Sequence, residues 1–101
     1  MASLEQIKNV LQDYFESKPV KKAWVFGSYA RGEETSDSDL DLLVEYQQGY
    51  RPGLFGISLL MEELESLTGK KIDLVENGFL YPRIAQEVEA QKIQIYERID
   101  S

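Results

Sequence analysis

The sequence predicts an α/β (α+β) domain in which helices pack on a small β-sheet. Apolar residues recur at helical spacing in separate segments, and short runs of strand-forming residues stand between them. Glycine, proline or polar residues separate these segments, giving the order helix, strand, turn, strand, helix, strand, helix, strand. Because 43% of the 101 residues are hydrophobic, we expect residues 1–101 to form one domain with a single core.

The start of the chain is predicted to form a helix and a buried strand. Ser3 and Gln6 are spaced as a capping box, and apolar residues then recur at helical spacing, so we expect a helix from Ser3 to about Glu16. Pro19 ends this helix, because the residue before a proline is pushed out of the helical conformation. Val20 to Phe26 is short and rich in strand formers, which suits a strand covered on both faces.

A polar turn and a second strand follow. Residues 27–38 are rich in glycine, serine and acids, which indicates a turn with one helical turn at Ser28–Arg31. Residues 39–44 begin by alternating in polarity, so one strand face is apolar and the other carries Asp39 and Asp41. The residues expected to face the core are Leu40, Leu42 and Val44.

The second half of the chain is predicted to alternate helices and strands. Apolar residues in segment 57–67 match a helix that ends at Gly69, and residues 71–75 follow as a third strand. Segment 82–90 opens with a proline that favours a helix start, and segment 93–95 alternates as a last strand. The core-facing stripe of the last helix is expected to be Ile84, Ala85 and Val88.

Composition excludes several classes of function. Eleven basic and eighteen acidic residues give a net charge of -7, which repels nucleic acid, so we expect no direct nucleic-acid binding. The lack of histidine and cysteine excludes imidazole-activated nucleophiles, thiolate metal sites and disulfides. The longest mostly apolar stretch, 54–61, is far below the roughly 18 residues that span a membrane. With no leader at the start of the chain, we expect a cytoplasmic location and no membrane partner.

The acids Asp39 and Asp41 are the most informative residues. If the other face of their strand is in the core, both carboxylates lie on one face, about 7 Å apart. An isolated pair of this kind is otherwise the solvated face of an edge strand. Asp73 repeats the pattern between Ile72 and Leu74, so adjacent strands would bring three carboxylates together. Such a cluster favours a hard divalent cation, and Mg²⁺ over zinc.

Three residues before this strand are candidates for binding phosphate. Gly27 and Ser28 directly follow a strand, where backbone N–H groups and a hydroxyl can hold phosphate oxygens. The alternative is a plain tight turn with a serine cap. Arg31 lies one helical turn further, and it can either supply positive charge to a phosphate or pair with an acid of segment 33–37.

The combined spacing resembles a known signature. Gly27-Ser28, ten intervening residues and Asp39-Leu40-Asp41-Leu42, with a later strand acid at Asp73, resemble the DNA polymerase beta superfamily of nucleotidyltransferases. The strings FGSYARG at 26–32 and SDLDLLV at 38–44 look like its minimal nucleotidyltransferase (MNT) branch. The resemblance covers about residues 20–96 and implies the nucleotidyltransferase fold, with a small mixed sheet.

Asp37 raises a question of register, because Asp37 and Asp39 are spaced like Asp39 and Asp41. The family pattern has apolar residues after each acid, and Leu40 and Leu42 satisfy it. We therefore assign Asp39 and Asp41 to the site and expect Asp37 to be a solvated loop acid.

The resemblance implies transfer of a nucleoside monophosphate, AMP from ATP, with release of pyrophosphate and the help of two Mg²⁺ ions. Carried over to this chain, Asp39 and Asp41 would hold Mg²⁺ against the nucleoside triphosphate. Asp73 would complete the metal site and help to deprotonate the acceptor hydroxyl. Gly27 and Ser28 would hold the terminal phosphates.

The acceptor implied by the resemblance is a protein. MNT proteins commonly pair with a helical HEPN protein as the antitoxin of a toxin–antitoxin system and modify a tyrosine of the toxin with AMP. Two alternatives stay open: a non-catalytic antitoxin module that binds only nucleotide or partner, and a small-molecule (aminoglycoside-type) nucleotidyltransferase. The loop 46–53 either touches the base or the partner or is an exposed connection. Apolar candidates for a partner surface are Leu54, Phe55, Phe79, Leu80 and Tyr81.

Overall fold

A computed structural model describes residues 3–99 and confirms the predicted α/β class. Its sheet has the strand order β3-β2-β1-β4. The elements in chain order are α1 (Leu4–Glu16), β1 (Val20–Phe26), α2 (Ser28–Arg31), β2 (Leu40–Tyr46), α3 (Gly53–Thr68), β3 (Ile72–Glu76), α4 (Pro82–Gln91) and β4 (Ile93–Glu97).

The sheet is mixed. Strand β1 pairs antiparallel with both β2 and β4, whereas β2 and β3 run parallel. Parallel neighbours need a crossover connection, and α3 lies in it. The N-terminal ends of β2 and β3 therefore lie beside the C-terminal end of β1. We call this end of the strands the carboxylate edge, because Asp41 and Asp73 lie there.

Helices cover both faces of the sheet. Apolar residues of α1 and α3 pack with the predicted core residues of β2 on one face. On the other face, Val88 of α4 packs against Trp24 and Leu43. Strand β1 is buried from both sides, as predicted, with Ala23, Trp24 and Val25 all less than 8% exposed.

The predicted capping box of α1 is present. The Gln6 N–H donates to Ser3 Oγ at 3.2 Å, and the Ser3 N–H donates to Gln6 Oε1 at 3.0 Å. At the other end of α1, the Arg98 guanidinium donates to the carbonyls of Phe15 and Lys18 at 3.1 and 2.6 Å. This arginine directly follows β4, so these bonds join the sheet to the end of α1 and to the turn after it.

Several boundaries differ from the sequence predictions. Strand β2 begins at Leu40, so Asp39 precedes it, and α3 begins at Gly53, four residues before the predicted start. The early turn of α3 was missed because it has two glycines and no side-chain cap. Ile84 is 45% exposed, contrary to the prediction, because Val88 is the residue of α4 that is buried on the sheet. Within residues 3–99, no helix is long and apolar enough to span a membrane.

The apolar residues suggested for a partner surface divide into two groups. Leu54, Phe55, Phe79 and Tyr81 are between 75% and 93% exposed. Leu80 instead packs against the Trp24, Leu43 and Val88 cluster.

Candidate active site

Asp41 and Asp73 are directly paired across the parallel strands β2 and β3. Their neighbours Leu40, Leu42 and Ile72 are almost fully buried in the core face, so both carboxylates lie on the opposite face. The backbones of neighbouring strands are about 5 Å apart, so paired side chains on one face are close neighbours. The convergence of these two acids, which the sequence made conditional on strand adjacency, is therefore present.

Asp41 is the half-buried member of the group, while Asp39 and Asp73 are exposed. Burial above all, and then the negative charges of Asp73 and Asp39, raise the pKa of Asp41 to about 6. The positive charge of Arg31 acts in the opposite direction. The site thus holds mutually repelling carboxylates, one of which loses solvation.

The two other candidate acids flank the start of β2. Asp39 immediately precedes the strand, and the Leu40 N–H donates to the Lys71 carbonyl at 2.8 Å, which joins this point to the start of β3. Asp37 is exposed in the preceding loop, where its N–H donates to Thr35 Oγ1 at 3.3 Å. Asp37 is thus an exposed loop acid, as predicted, whereas the assignment of Asp39 to the site stays a prediction, because Asp39 also precedes the strand.

The donors at this face are carboxylate oxygens, which suit a hard cation such as Mg²⁺. In the part of the chain from 3 to 99, however, no three acidic side chains are gathered closely enough to hold a metal ion. Two observations favour a cation at this face. Asp41 and Asp73 are paired across the strands, and a cation would relieve the repulsion between their negative charges.

The backbone of Gly27 lies directly against the Asp41 side chain. Its φ of +72° is a conformation that other residues rarely adopt, and a Cβ atom at this position would overlap Asp41 Oδ2. Phe26, the residue before it, pairs with Asp41 across β1 and β2. A glycine is thus required both by the backbone and by the close approach of the carboxylate.

Ser28 is not a helix cap. The N-cap of α2 is Gly27, and no side chain caps this helix. Among the hydrogen bonds of residues 3–99, none involves the Ser28 hydroxyl, and the residue is only half-buried. The serine-cap alternative is therefore wrong, and the hydroxyl remains available to a ligand.

Arg31 does form the ion pair that the sequence left open. Its Nε donates to Glu33 Oε1 at 2.9 Å, and its Nη1 donates to Gln91 Oε1 at 3.3 Å. The guanidinium is partly exposed and its charge acts on Asp41. Pairing with Glu33 does not remove Arg31 from the site, because an exposed pair is weak.

Two contacts at this edge were not predicted from the sequence. The end of α4 reaches the site through Gln91, and the Lys70 ammonium lies 5.8 Å from the centre of the Tyr29 ring. The signal for a second helical layer was present in Leu43, an apolar residue on the same strand face as Asp41. The contact of Lys70 with Tyr29 joins residues 41 positions apart and carries no sequence signal.

The model of the polymerase beta nucleotidyltransferase family matches residues 5–101. The chain belongs to this family. It is a nucleotidyltransferase, and the arrangement at the carboxylate edge is its candidate active site.

Individual relatives agree with the family match. This nucleotidyltransferase is 39% identical over 92 residues to the protein adenylyltransferase MntA of Thermococcus cleftensis, covering 87% of this chain and 91% of MntA. It is 35% identical to the solved structure of a protein provisionally identified as a minimal nucleotidyltransferase. That structure has a TM-score of 0.71, and the match covers 91% of this chain and 95% of the other.

A more distant structure is a complex. A solved structure of the tri-AMPylated HEPN toxin of Shewanella oneidensis with an MNT antitoxin matches the nucleotidyltransferase with a TM-score of 0.68. The match is 19% identical and covers 93% of this chain and 72% of the other. At that identity the likeness shows the fold alone.

Proposed function

We propose that this nucleotidyltransferase transfers AMP from ATP to a tyrosine hydroxyl of a HEPN toxin and so acts as the antitoxin. The observation that carries the proposal is the pairing of Asp41 with Asp73 beside Gly27, at one edge of the sheet. A face with repelling carboxylates is of little use to a protein that only binds a partner. The same face is what a metal-dependent phosphoryl transfer requires.

The comparisons support a protein acceptor. The relative from Thermococcus cleftensis is named a protein adenylyltransferase, and the Shewanella oneidensis complex contains an AMPylated HEPN toxin. Residues 3–99 form one sheet with its helices, so this part of the chain contains no separate domain that could bind an acceptor. We accordingly propose that residues 1–101 work as a single MNT domain whose acceptor is a partner protein.

We propose that this face binds two divalent ions. Asp39 and Asp41 would hold Mg²⁺ against the triphosphate, and Asp73 would complete the set. When bound, the ions neutralise the triphosphate and stabilise charge on the entering and leaving oxygens. Gly27 and Ser28 would bind the terminal phosphates through backbone N–H groups and the unpartnered hydroxyl, and Arg31 would add positive charge.

The transfer itself is a single displacement at the α-phosphorus. The acceptor oxygen forms a bond to this phosphorus while the bond to the bridging oxygen of the β-phosphate breaks. The bonding electron pair leaves with pyrophosphate, and Asp73 receives the hydroxyl proton. Asp73 suits this role because it is exposed at the edge strand, where an acceptor from another molecule has access.

Intact-mass spectrometry tests the proposal directly. The protein and a HEPN toxin are incubated with Mg²⁺ and each nucleoside triphosphate in turn. The expected result is a gain of one or more AMP masses on the toxin, placed on a tyrosine by peptide mapping. Asp41→Asn should lower the rate about a thousandfold or more, since several kcal/mol of transition-state stabilisation are lost.

Asp37→Asn is the matched control, because it removes the same charge from the loop outside β2. It should modify the toxin at nearly the wild-type rate. An unmodified toxin whose activity is nevertheless blocked would favour the non-catalytic antitoxin, and modification of an added aminoglycoside alone would favour the small-molecule enzyme.

A further inference from the structure

A cavity of about 410 Å³ lies at the end of the strands opposite the carboxylate edge. Its wall includes Tyr46 and Glu76 at the C-terminal ends of β2 and β3, the loop 47–52 and the first turn of α3. Tyr46 is five residues along β2 from Asp41, which corresponds to about 16 Å of strand. It also packs in the core face, opposite the face that carries Asp41. The cavity is therefore separate from the candidate active site, and its volume is that of a small-molecule site.

The Tyr46 hydroxyl is an unused hydrogen-bond donor in the wall of this cavity. Tyr46 is only 8% exposed, and its hydroxyl has no hydrogen-bond partner within residues 3–99, whereas the hydroxyls of Tyr14 and Tyr96 donate to glutamates. Burial above all, and then the negative charge of Glu76, raise the pKa of Tyr46 to about 12, so the hydroxyl keeps its proton at neutral pH. A nearly buried O–H group without a partner is suited to an acceptor atom of a ligand.

The start of α3 supplies positive charge to the same cavity. This helix has no side-chain cap and no acidic residue in its first turn, so its first N–H groups are left without a helical partner. Pro52 and Gly53 place this helix start in the cavity wall. Arg51, directly before it, is exposed and forms no ion pair within residues 3–99, although the chain has a net charge of -7. Helix N-termini and guanidinium groups are the usual partners of phosphate.

The remaining wall combines aromatic rings with one carboxylate. Tyr50 and Phe79 are 40% and 75% exposed, and the centre of the Tyr50 ring lies 5.7 Å from that of Tyr46. Exposed rings of this kind favour stacking with a planar ligand. Glu76 is half-buried and forms no ion pair within the described residues, so it would repel a purely anionic ligand but accept a hydrogen bond from an amino group.

We propose that this cavity is a second nucleotide site, which binds an adenine mononucleotide. The phosphate binds to the start of α3 and to Arg51, and the base stacks on the exposed aromatic rings. Adenine presents an acceptor nitrogen next to an amino group. The Tyr46 hydroxyl donates to this nitrogen, and the Glu76 carboxylate accepts from the amino group. The pairing of one donor with one acceptor is what selects adenine over a base that carries a carbonyl group at the same position.

Nuclear magnetic resonance of the ¹⁵N-labelled full chain tests the site directly. AMP is the probe, and EDTA is present because the candidate active site is proposed to need Mg²⁺. The amide signals of Gly49 and Gly53, which line the cavity, should shift and saturate, while those of Gly27 and Gly32 should not. Adenosine, which lacks the phosphate, and inosine monophosphate, which has a carbonyl in place of the amino group, should each bind about tenfold more weakly than AMP.

Two variants remove single partners of the ligand. Tyr46→Phe removes only the hydroxyl and Arg51→Gln removes the positive charge, so each should weaken AMP binding about three- to tenfold. Arg83→Gln is the matched control, because Arg83 is also exposed and without an ion pair in the described part of the chain, but lies outside the cavity wall. It should bind AMP within about twofold of wild type.

Two results would overturn the second nucleotide site. One is the absence of a saturable shift at Gly49 and Gly53 when AMP is added to wild type. The other is an AMP affinity equal to that of wild type in both Tyr46→Phe and Arg51→Gln. Neither result would affect the proposed function, because the cavity shares no residue with the carboxylate edge.

Discussion

Gly27 and Asp41 lie so close together that a Cβ atom at position 27 would overlap the Asp41 carboxylate. The carboxylate therefore depends on a glycine in the neighbouring strand end for its position. This relationship couples the segment that would bind phosphate to the residue that would hold the metal ion.

Replacing Gly27 tests that coupling. Gly27→Ala should strain the backbone at φ +72° and displace the Asp41 side chain, so both stability and Mg²⁺-nucleotide binding should fall. Gly32→Ala is the matched control, because Gly32 has φ of +71° but nothing lies within 4 Å of its added Cβ. Thermal unfolding should show a loss of about 1 kcal/mol from backbone strain in each variant. Nucleotide binding should fall only in Gly27→Ala, and equal binding in the two variants would contradict the coupling.

Neutralising Asp73 should change stability in opposite directions without and with ligand. Asp73 and Asp41 repel each other across β2 and β3, so Asp73→Asn should melt a few degrees above wild type when no ligand is present. Wild type should gain roughly 2.7 kcal/mol from Mg²⁺ and a non-hydrolysable triphosphate at a hundredfold excess over Kd. Most of this gain should be absent from Asp73→Asn. Melting temperatures that match those of wild type in both conditions would remove Asp73 from the site.

The raised pKa of Asp41 predicts a pH dependence with a defined sign. Its pKa of about 6 in the folded protein lies above the ordinary value near 4, so the folded state binds the extra proton between these values. The contribution of Asp41 to the stability of the ligand-free protein should be complete below pH 4 and should be lost as the pH rises through 6. Asp41→Asn should remove this dependence, which chemical unfolding of both proteins from pH 4 to 8 measures.

Ligand binding should show the opposite trend. Mg²⁺ requires the ionised carboxylate, so Mg²⁺-nucleotide affinity should decline as the pH falls below about 6. A flat affinity between pH 5 and 8 would contradict a role for Asp41 as a ligand.

Tyr29→Phe should stabilise the protein. Within the described residues, the Tyr29 hydroxyl is buried and has no hydrogen-bond partner, which is unfavourable by about 1 kcal/mol or more. Tyr14→Phe is the contrasting variant, because the Tyr14 hydroxyl donates to Glu63 Oε1 at 2.6 Å. Denaturant unfolding should show a gain of about 1 kcal/mol for the first and a loss of similar size for the second. A loss in Tyr29→Phe would mean that the hydroxyl has a partner.

Local sequence determined most elements of the fold. The capping box at Ser3, the strand formers of β1 and the glycine after α3 act over a few residues, so their effects could be predicted from spacing alone. The predicted start of α3 was wrong because two of its first four residues, Gly53 and Gly56, are weak helix formers. The prediction that Ile84 faces the core was wrong, because helical periodicity does not say how much of a helix touches the sheet.

By itself, the sequence determined the fold class, the absence of imidazole and thiol chemistry, and the candidate residues Gly27, Ser28, Asp39 and Asp41. Only the tertiary structure decided that Asp73 pairs with Asp41, because strand order and register depend on how whole elements pack. The half-burial of Asp41, its close approach to Gly27 and the contact of Lys70 with Tyr29 follow from the same packing. Such contacts join distant residues through space, where the local preferences of the chain have no influence.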